Sequence, residues 1–257
     1  VPPCITIAEV KMLEIRNLTV KFGNLFAVND LSMIINEHTI HSLIGPNGAG
    51  KTTVFNAIFN LVPYEGGIAF LGSNLNSLPT YARAGLGLCR TFQNLNIFNS
   101  MTVEQNIKMG LHISIKSNII RDFLGYDAYS TAEVNQKVQK AAEMVGLLNV
   151  LKAYPAFLPY GTQKLVELAR VIISNPKLIL LDEPAAGLNS SEKENFKGIL
   201  REVKNNGTTI LLVEHDMGVV MDISDIVTVM NFGHKIAEGS PTEVASNREV
   251  IEAYLGV

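Results

Sequence analysis

Gly45-Pro46-Asn47-Gly48-Ala49-Gly50-Lys51-Thr52 is a complete G-x-x-x-x-G-K-[ST] run, and Thr53 follows it. Glycines at its bends let the backbone curl until several N–H groups face one point, which is how a chain grips a phosphate. A helix expected from about Lys51 adds the positive end of its dipole there. Lys51 would neutralise charge between the β- and γ-phosphates of a nucleotide, and the Thr52 hydroxyl would hold Mg²⁺. The plainer reading is a chance glycine turn. A strand at Thr39–Ile44 running into the loop, and a helix after it with Val54, Phe55, Ile58 and Phe59 on one face, argue against that.

A second constellation closes the apolar run Leu178-Ile179-Leu180-Leu181, a strand of the kind buried on both faces in a parallel sheet. Asp182 and Glu183 then fall at the carboxyl edge of the sheet, where α/β folds bind ligands. Asp182 suits the Mg²⁺ shell, and Glu183 is placed to polarise an attacking water. The alternative is an acidic turn before Pro184, and a phosphate loop in the same chain favours the chemical reading.

The elements that must position these groups alternate in type. Met12–Val20 has the period-two pattern of a half-buried strand, Phe22-Gly23-Asn24 reads as a turn, and a further strand is expected near Leu31–Ile35. Between about Asn94 and Tyr160 the texture turns helical. Thr102 and Gln105 form a capping box, and Val134, Val138, Ala141 and Val145 recur at helical spacing within Glu133–Val145. Leu111–Ser130 supports no assignment. Beyond it the pattern predicts a helix over Gln163–Ser174. Another, capped by Ser191-Glu192-Lys193-Glu194, carries Phe196, Ile199, Leu200 and Val203 inward and stops near Gly207. Strands follow at Thr209–Val213 and Ile226–Met230, then a cap at Ser240-Pro241-Thr242-Glu243. The expected fold is α/β, with a parallel core and a helical insertion.

Composition narrows the field. The chain has 257 residues, 47% hydrophobic and 18% charged, so it can bury a large core. A formal charge of −3 gives no sign of a nucleic-acid surface. Cys4 and Cys89 have neither CxxC spacing nor companion histidines, which speaks against a disulfide framework or zinc site. No apolar run approaches the roughly 18 to 20 residues that span a bilayer. Val1–Lys11 precedes the first strand and is expected to be a dispensable tail.

With both motifs in hand, Met12–Val257 resembles the nucleotide-binding subunits of ABC transporters: a P-loop NTPase core with an antiparallel β subdomain and a helical subdomain over about 94–162. Leu158-Pro159-Tyr160-Gly161-Thr162-Gln163 occupies the place of that family's Leu-Ser-Gly-Gly-Gln signature, which faces the phosphate loop of a second subunit across ATP. Gly161 and Thr162 would then present helix-opening amides to a γ-phosphate. Pro159, Tyr160 and Thr162 depart from the signature. The resemblance also implies roles for Gln93, at Mg²⁺ or the lytic water, and for His215, which follows the strand Thr209–Val213, at the γ-phosphate. It gives Phe22 the place of an aromatic that stacks on adenine, with an ordinary core Phe as competitor. Gly187-Leu188-Asn189 resembles the loop joining the two ATP sites.

Within the family, Arg90–Leu95, Asp182–Asn189, Val213–Met217 and Val250–Gly256 look like the branched-chain amino-acid importer ATPases, as does the Pro-Tyr-Gly signature variant. The implied partners are a second copy or homologous ATPase, two permeases received at about Asn94–Met101, and an extracytoplasmic solute-binding protein. The implied place is the cytoplasmic face of the inner membrane. Rival readings are a lipopolysaccharide-type exporter ATPase, a P-loop small-molecule kinase, and a non-transport ABC protein. The last is disfavoured because 257 residues hold neither coiled-coil arms nor two cassettes.

Overall fold

A computed structural model describes residues 10–91, 95–112 and 131–255. Gln93, residues 1–9 of the expected tail and most of Leu111–Ser130 lie outside the described residues. Two sheets organise the chain. The first is antiparallel, with strands β1 (Lys11–Phe22), β2 (Leu25–Asn36), β4 (Glu65–Phe70) and β5 (Ser73–Asn74) in the order β2-β1-β4-β5. The second contains β3 (Ile40–Ile44), β6 (Leu88–Arg90), β7 (Leu178–Asp182), β8 (Thr209–Val213), β9 (Ile226–Asn231) and β10 (His234–Gly239), in the order β10-β9-β3-β8-β7-β6. Only the β9–β10 pair in it is antiparallel.

The central strands β3, β7 and β8 are buried along their whole length. Their side chains alternate between two cores. Leu178 and Leu180 pack with Leu43 and Leu211 against Phe55 and Ile58 of helix α1 (Lys51–Ile58), beneath Leu13, Ile15 and Phe70 of the antiparallel sheet. Ile179 and Leu181 face the other way. There they meet Val166 and Ala169 of helix α5 (Tyr160–Ile172), and Ile199 and Leu200 of helix α6 (Ser190–Asn205). Burying one such aliphatic side chain contributes about 1.5–3 kcal/mol, so this alternation fixes the register of the sheet that carries the site.

Helix α2 (Thr80–Gly85) brings the fully buried Arg83 to the end of α1, where its guanidinium donates to the carbonyls of Ala57 and Ile58. These last-turn carbonyls have no partner inside their own helix, so the cation caps it. The helical subdomain joins the second core through Val103 and Ile107 of α3 (Val103–Met109) and Val138 and Ala141 of α4 (Ala132–Met144). Gly110 ends α3 so close to α5 that an added Cβ would lie 1.8 Å from the Arg170 carbonyl oxygen. The chain finishes with α7 (Met217–Ile223), α8 (Pro241–Ser246) and α9 (Arg248–Leu255).

Several expectations shift. The strand expected at Leu31–Ile35 spans Leu25–Asn36, because a tight Gly23-Asn24 turn pairs Phe22 with Leu25 and draws polar residues into the hairpin. The helix expected over Gln163–Ser174 starts at Tyr160, with Pro159 extended just before it. The cap expected at Ser191 is Asn189. Its side chain accepts from the Glu192 N–H at 3.0 Å and Glu192 accepts from the Asn189 N–H at 2.9 Å, a competent pair in the preceding register. The boxes at Thr102/Gln105 and Ser240/Glu243 form as expected.

Candidate active site

Strand β3 delivers the chain to Gly45, which is buried against β9: a Cβ there would sit 2.1 Å from the Met230 carbonyl oxygen. Gly48 and Gly50 take φ of +83° and +101°, the left-handed side that favours glycine. Gly50 is the N-cap of α1, and its missing Cβ would meet the Ala27 carbonyl at 2.2 Å. Between them the Ala49 N–H donates to Pro46 O at 3.1 Å. Lys51 closes the loop, its Nζ donating to Gly45 O at 2.7 Å and Pro46 O at 3.0 Å. Burial pulls this ammonium below the usual lysine range, and Glu183 and Asp182 push it back up.

A cavity opens over this bend. Asn47, Gly48, Gly50, Lys51, Thr52 and Thr53 form its floor, and Glu183 enters from β7. Leu25, Phe26, Ala27 and Phe232 make its rim. Phe22 is exposed at the end of β1 and is not among the described lining residues. The exposed rings that reach the cavity are Phe26, in the β1–β2 hairpin, and Phe232, in the β9–β10 turn. Pro46 and Ala49 line an adjoining hollow with Glu249 and Glu252 of α9.

Asp182 is the last residue of β7 and is buried. Arg90, on neighbouring β6, donates Nη2 to its Oδ2 at 2.9 Å, and sends Nη1 to Asn56 Oδ1 of α1 at 2.7 Å. Burial nevertheless holds the Asp182 carboxyl above the usual aspartate range, the Arg90 cation opposing it.

Glu183 adopts φ +49°, an uncommon conformation for a non-glycine residue. Its N–H is fixed by Val213 O of β8 at 2.8 Å. His215, just past β8 and exposed, brings Nδ1 to 3.7 Å from Glu183 Oε2. Strands β7 and β8 pair in parallel with Asp182 opposite Val213, so Glu183 and His215 follow adjacent strand ends side by side.

Gly161 and Thr162 lie in the first turn of α5 and line a separate hollow with Glu192 and Asn195. They do not reach the phosphate-loop cavity of their own chain. A Cβ at Gly161 would come within 2.4 Å of Glu192 Oε1, so a larger residue there would have to displace the Glu192 carboxylate.

Two site neighbours escaped the sequence reading. Glu214 is fully buried; its Oε1 accepts from the Ala185 N–H at 2.7 Å and its Oε2 from the His215 N–H at 3.1 Å. Lys164 donates to Pro184 O at 2.8 Å and Glu183 O at 3.3 Å. A carboxylate beside a histidine motif was a possible signal for the first; a helical lysine offers none.

Comparison with known proteins agrees with this geometry. Residues 28–186 match the family model described as ABC transporter, and residues 234–257 one described as branched-chain amino acid ATP-binding cassette transporter. The chain is 41% identical to the high-affinity branched-chain amino acid transport ATP-binding protein LivG of Salmonella typhimurium, over 95% of this chain and 98% of that one. Identity is 38% to BraF of Pseudomonas aeruginosa, with the same coverage, and 30% to the lipopolysaccharide export system ATP-binding protein LptB of Haemophilus influenzae, over 96% and 98%. The crystal structure of the ADP conformation of MJ1267, an ATP-binding cassette of an ABC transporter, superposes with a TM-score of 0.84 at 30% identity, covering 96% of this chain and 99% of that one. With a P-loop cavity, a paired carboxylate edge and relatives matched along nearly their full length, the chain belongs to the ABC transporter family as one of its ATP-binding cassettes.

Proposed function

We propose that this chain hydrolyses ATP to power an importer of branched-chain amino acids. The observation that carries the chemistry is that Glu183, held at φ +49°, lines the same cavity as the phosphate loop. In that cavity the amides of Gly48–Thr53 and the Lys51 ammonium take the β- and γ-phosphates. Glu183 orients the attacking water and accepts its proton, and His215 and Lys51 stabilise the charge on the transferred phosphoryl group. Thr52 and Asp182 supply the hard oxygen donors that suit Mg²⁺, and Asp182 keeps one carboxylate oxygen beyond the Arg90 bond. Bound Mg²⁺ would neutralise phosphate charge; Gln93, by its place in the family motif, would complete that shell.

Gly161 and Thr162 line a hollow apart from their own chain's cavity, which fits a role against the nucleotide of a second copy. Closure of two copies over ATP, and their reopening on hydrolysis, supplies the stroke, because ATP favours the closed state more than ADP does. The stroke reaches two permeases through the segment after Gln93, at the cytoplasmic face of the inner membrane, and a solute-binding protein outside selects the cargo. The subdomain over about 94–162 is the moving part in this reading, and residues 1–11 are dispensable. Among the described residues no helix is long and apolar enough to cross a membrane.

The import reading rests on the 38–41% identity to LivG and BraF, against 30% to LptB. The decisive experiment co-purifies the chain from native membranes and measures phosphate release without any acceptor. ADP formation that depends on an added small-molecule acceptor and yields no free phosphate would support a kinase. Co-purification with lipopolysaccharide-export components would replace the import reading by the exporter one.

A further inference from the structure

The turn that follows β7 is fastened from two sides. From the sheet side, Val213 O accepts from the Glu183 N–H at 2.8 Å, and Glu214 Oε1 accepts from the Ala185 N–H at 2.7 Å. From the helical side, Lys164 of α5 donates its ammonium to Pro184 O at 2.8 Å and Glu183 O at 3.3 Å. One helical turn earlier, the Tyr160 ring lies 5.4 Å from the same Nζ and packs on Gly187, where a Cβ would sit 3.0 Å from Tyr160 Cε1. Tyr160 and Lys164 are thus an i, i+4 pair resting on both ends of Glu183–Gly187.

We propose that Lys164, seated by Tyr160, is a positioning residue for Glu183, and that it ties the start of α5 to the catalytic carboxylate of the same chain. The backbone at Glu183, at φ +49°, is in a sparsely populated region that persists only where its surroundings hold it. Lys164 is buried, and its hydrogen bonds go to main-chain oxygens of the strained turn. Burial pulls its pKa below the usual lysine range, with Glu214, Glu167 and Glu183 opposing that shift. Without the ammonium, Pro184 O loses its donor and Glu183 O is left with the Ala186 N–H at 3.2 Å, so the turn can relax, which re-aims the carboxylate. A displacement near 1 Å at a reacting group is enough to slow chemistry by about a hundredfold.

The position on the helix adds a consequence, and this part rests on the proposed function. The first turn of α5 would touch the nucleotide of the partner copy, while Lys164, in the next turn, holds Glu183 of its own site. One rigid helix then reports the filling of one site to the base of the other. It also gives a reason for Tyr160 where the family signature has glycine: the ring is the seat of the clamp.

The test compares Lys164→Met and Lys164→Arg with the parent chain, measuring kcat for phosphate release and the Kd of a fluorescent ATP analogue. We expect Lys164→Met to lower kcat by about tenfold or more while Kd stays within about twofold, and Lys164→Arg, which keeps a cationic fork for the carbonyls, to restore most of the rate. Adding Lys164→Met to Glu183→Gln should cost no further rate, because the two changes act through one group. A Lys164→Met kcat within about twofold of the parent overturns the proposal, as does an equal loss in the Glu183→Gln background. Should Lys164→Met not fold, Lys164→Gln carries the same readouts, and Tyr160→Leu reports on the seat. Parental turnover in Glu183→Gln alone would instead sink the role given to Glu183, which separates the two failures.

Discussion

Arg90 and Asp182 are joined across adjacent parallel strands by a 2.9 Å ion pair in which both side chains are almost wholly withdrawn from water. The same guanidinium stacks over Phe55 at 5.4 Å and bonds Asn56, so one cation ties the carboxyl edge of the sheet to the helix that follows the phosphate loop. Removing one member of a buried pair strands the other charge, which typically costs 3–5 kcal/mol. Arg90→Met should therefore lower unfolding stability by about that amount and push the Asp182 carboxyl further toward its neutral form. Urea denaturation checks the first part; a loss of less than about 1 kcal/mol would show the pair to be dispensable.

The glycines of the phosphate loop are not equivalent. Gly50→Ala would drive a Cβ to 2.2 Å from the Ala27 carbonyl, a backbone atom that cannot step aside. At Gly48 nothing lies within 4 Å, and only the left-handed backbone resists substitution. Gly50→Ala should abolish nucleotide binding, whereas Gly48→Ala should cost about 1–2 kcal/mol of strain and weaken binding less. Titration with a fluorescent ATP analogue distinguishes them, and equal losses would refute the steric account.

Glu183→Gln keeps the shape of the side chain and removes its basicity. Turnover should fall by roughly a hundred- to ten-thousandfold with ATP binding intact, as for a lost general base. Single-turnover phosphate release at saturating MgATP provides the measurement.

His41 on β3 makes stability pH-dependent. Its Nε2 lies 2.8 Å from Thr228 Oγ1, whose hydroxyl donates to Glu238 Oε2 at 2.8 Å, so Nε2 carries the ring proton. Burial pushes the His41 pKa down to about 4. Below the unfolded value near 6.5 the unfolded chain takes up a proton that the folded chain refuses, so stability falls as pH drops from about 6.5 to about 4. His41→Gln should remove this slope, and the parent-to-variant difference in stability should change by about 3 kcal/mol across that window. Denaturation at pH 7 and pH 4.5 tests it; a constant difference would mean that His41 is not the group responsible.

What was legible beforehand was what is local. Gly45–Thr53 announces itself because a glycine spacing dictates backbone shape. Leu178–Glu183 does so because an apolar run ending in two acids has one sensible place in a parallel sheet. The capping boxes at Thr102 and Ser240 are four-residue facts. The reading failed where contacts join distant segments. The β4 strand begins Glu65-Gly66-Gly67, poor strand residues that are held by pairing with β1. Phe22 matched a motif position, yet the turn at Gly23-Asn24 brings Phe26 to the cavity rim, and Phe232 arrives from the far end of the sequence. Lys164 looks like any helical lysine until the fold sets it beneath Pro184.

The contact at Gly110 has a mechanical meaning. At Gly110 the end of α3 comes against the backbone of α5 at Arg170, with the Ile173 side chain packed beside it. A backbone-to-backbone contact yields less to sliding than one made through pliable side chains. A push delivered near Thr102 would therefore arrive at Tyr160 as rotation of a single stiff lever rather than dissipating in soft packing.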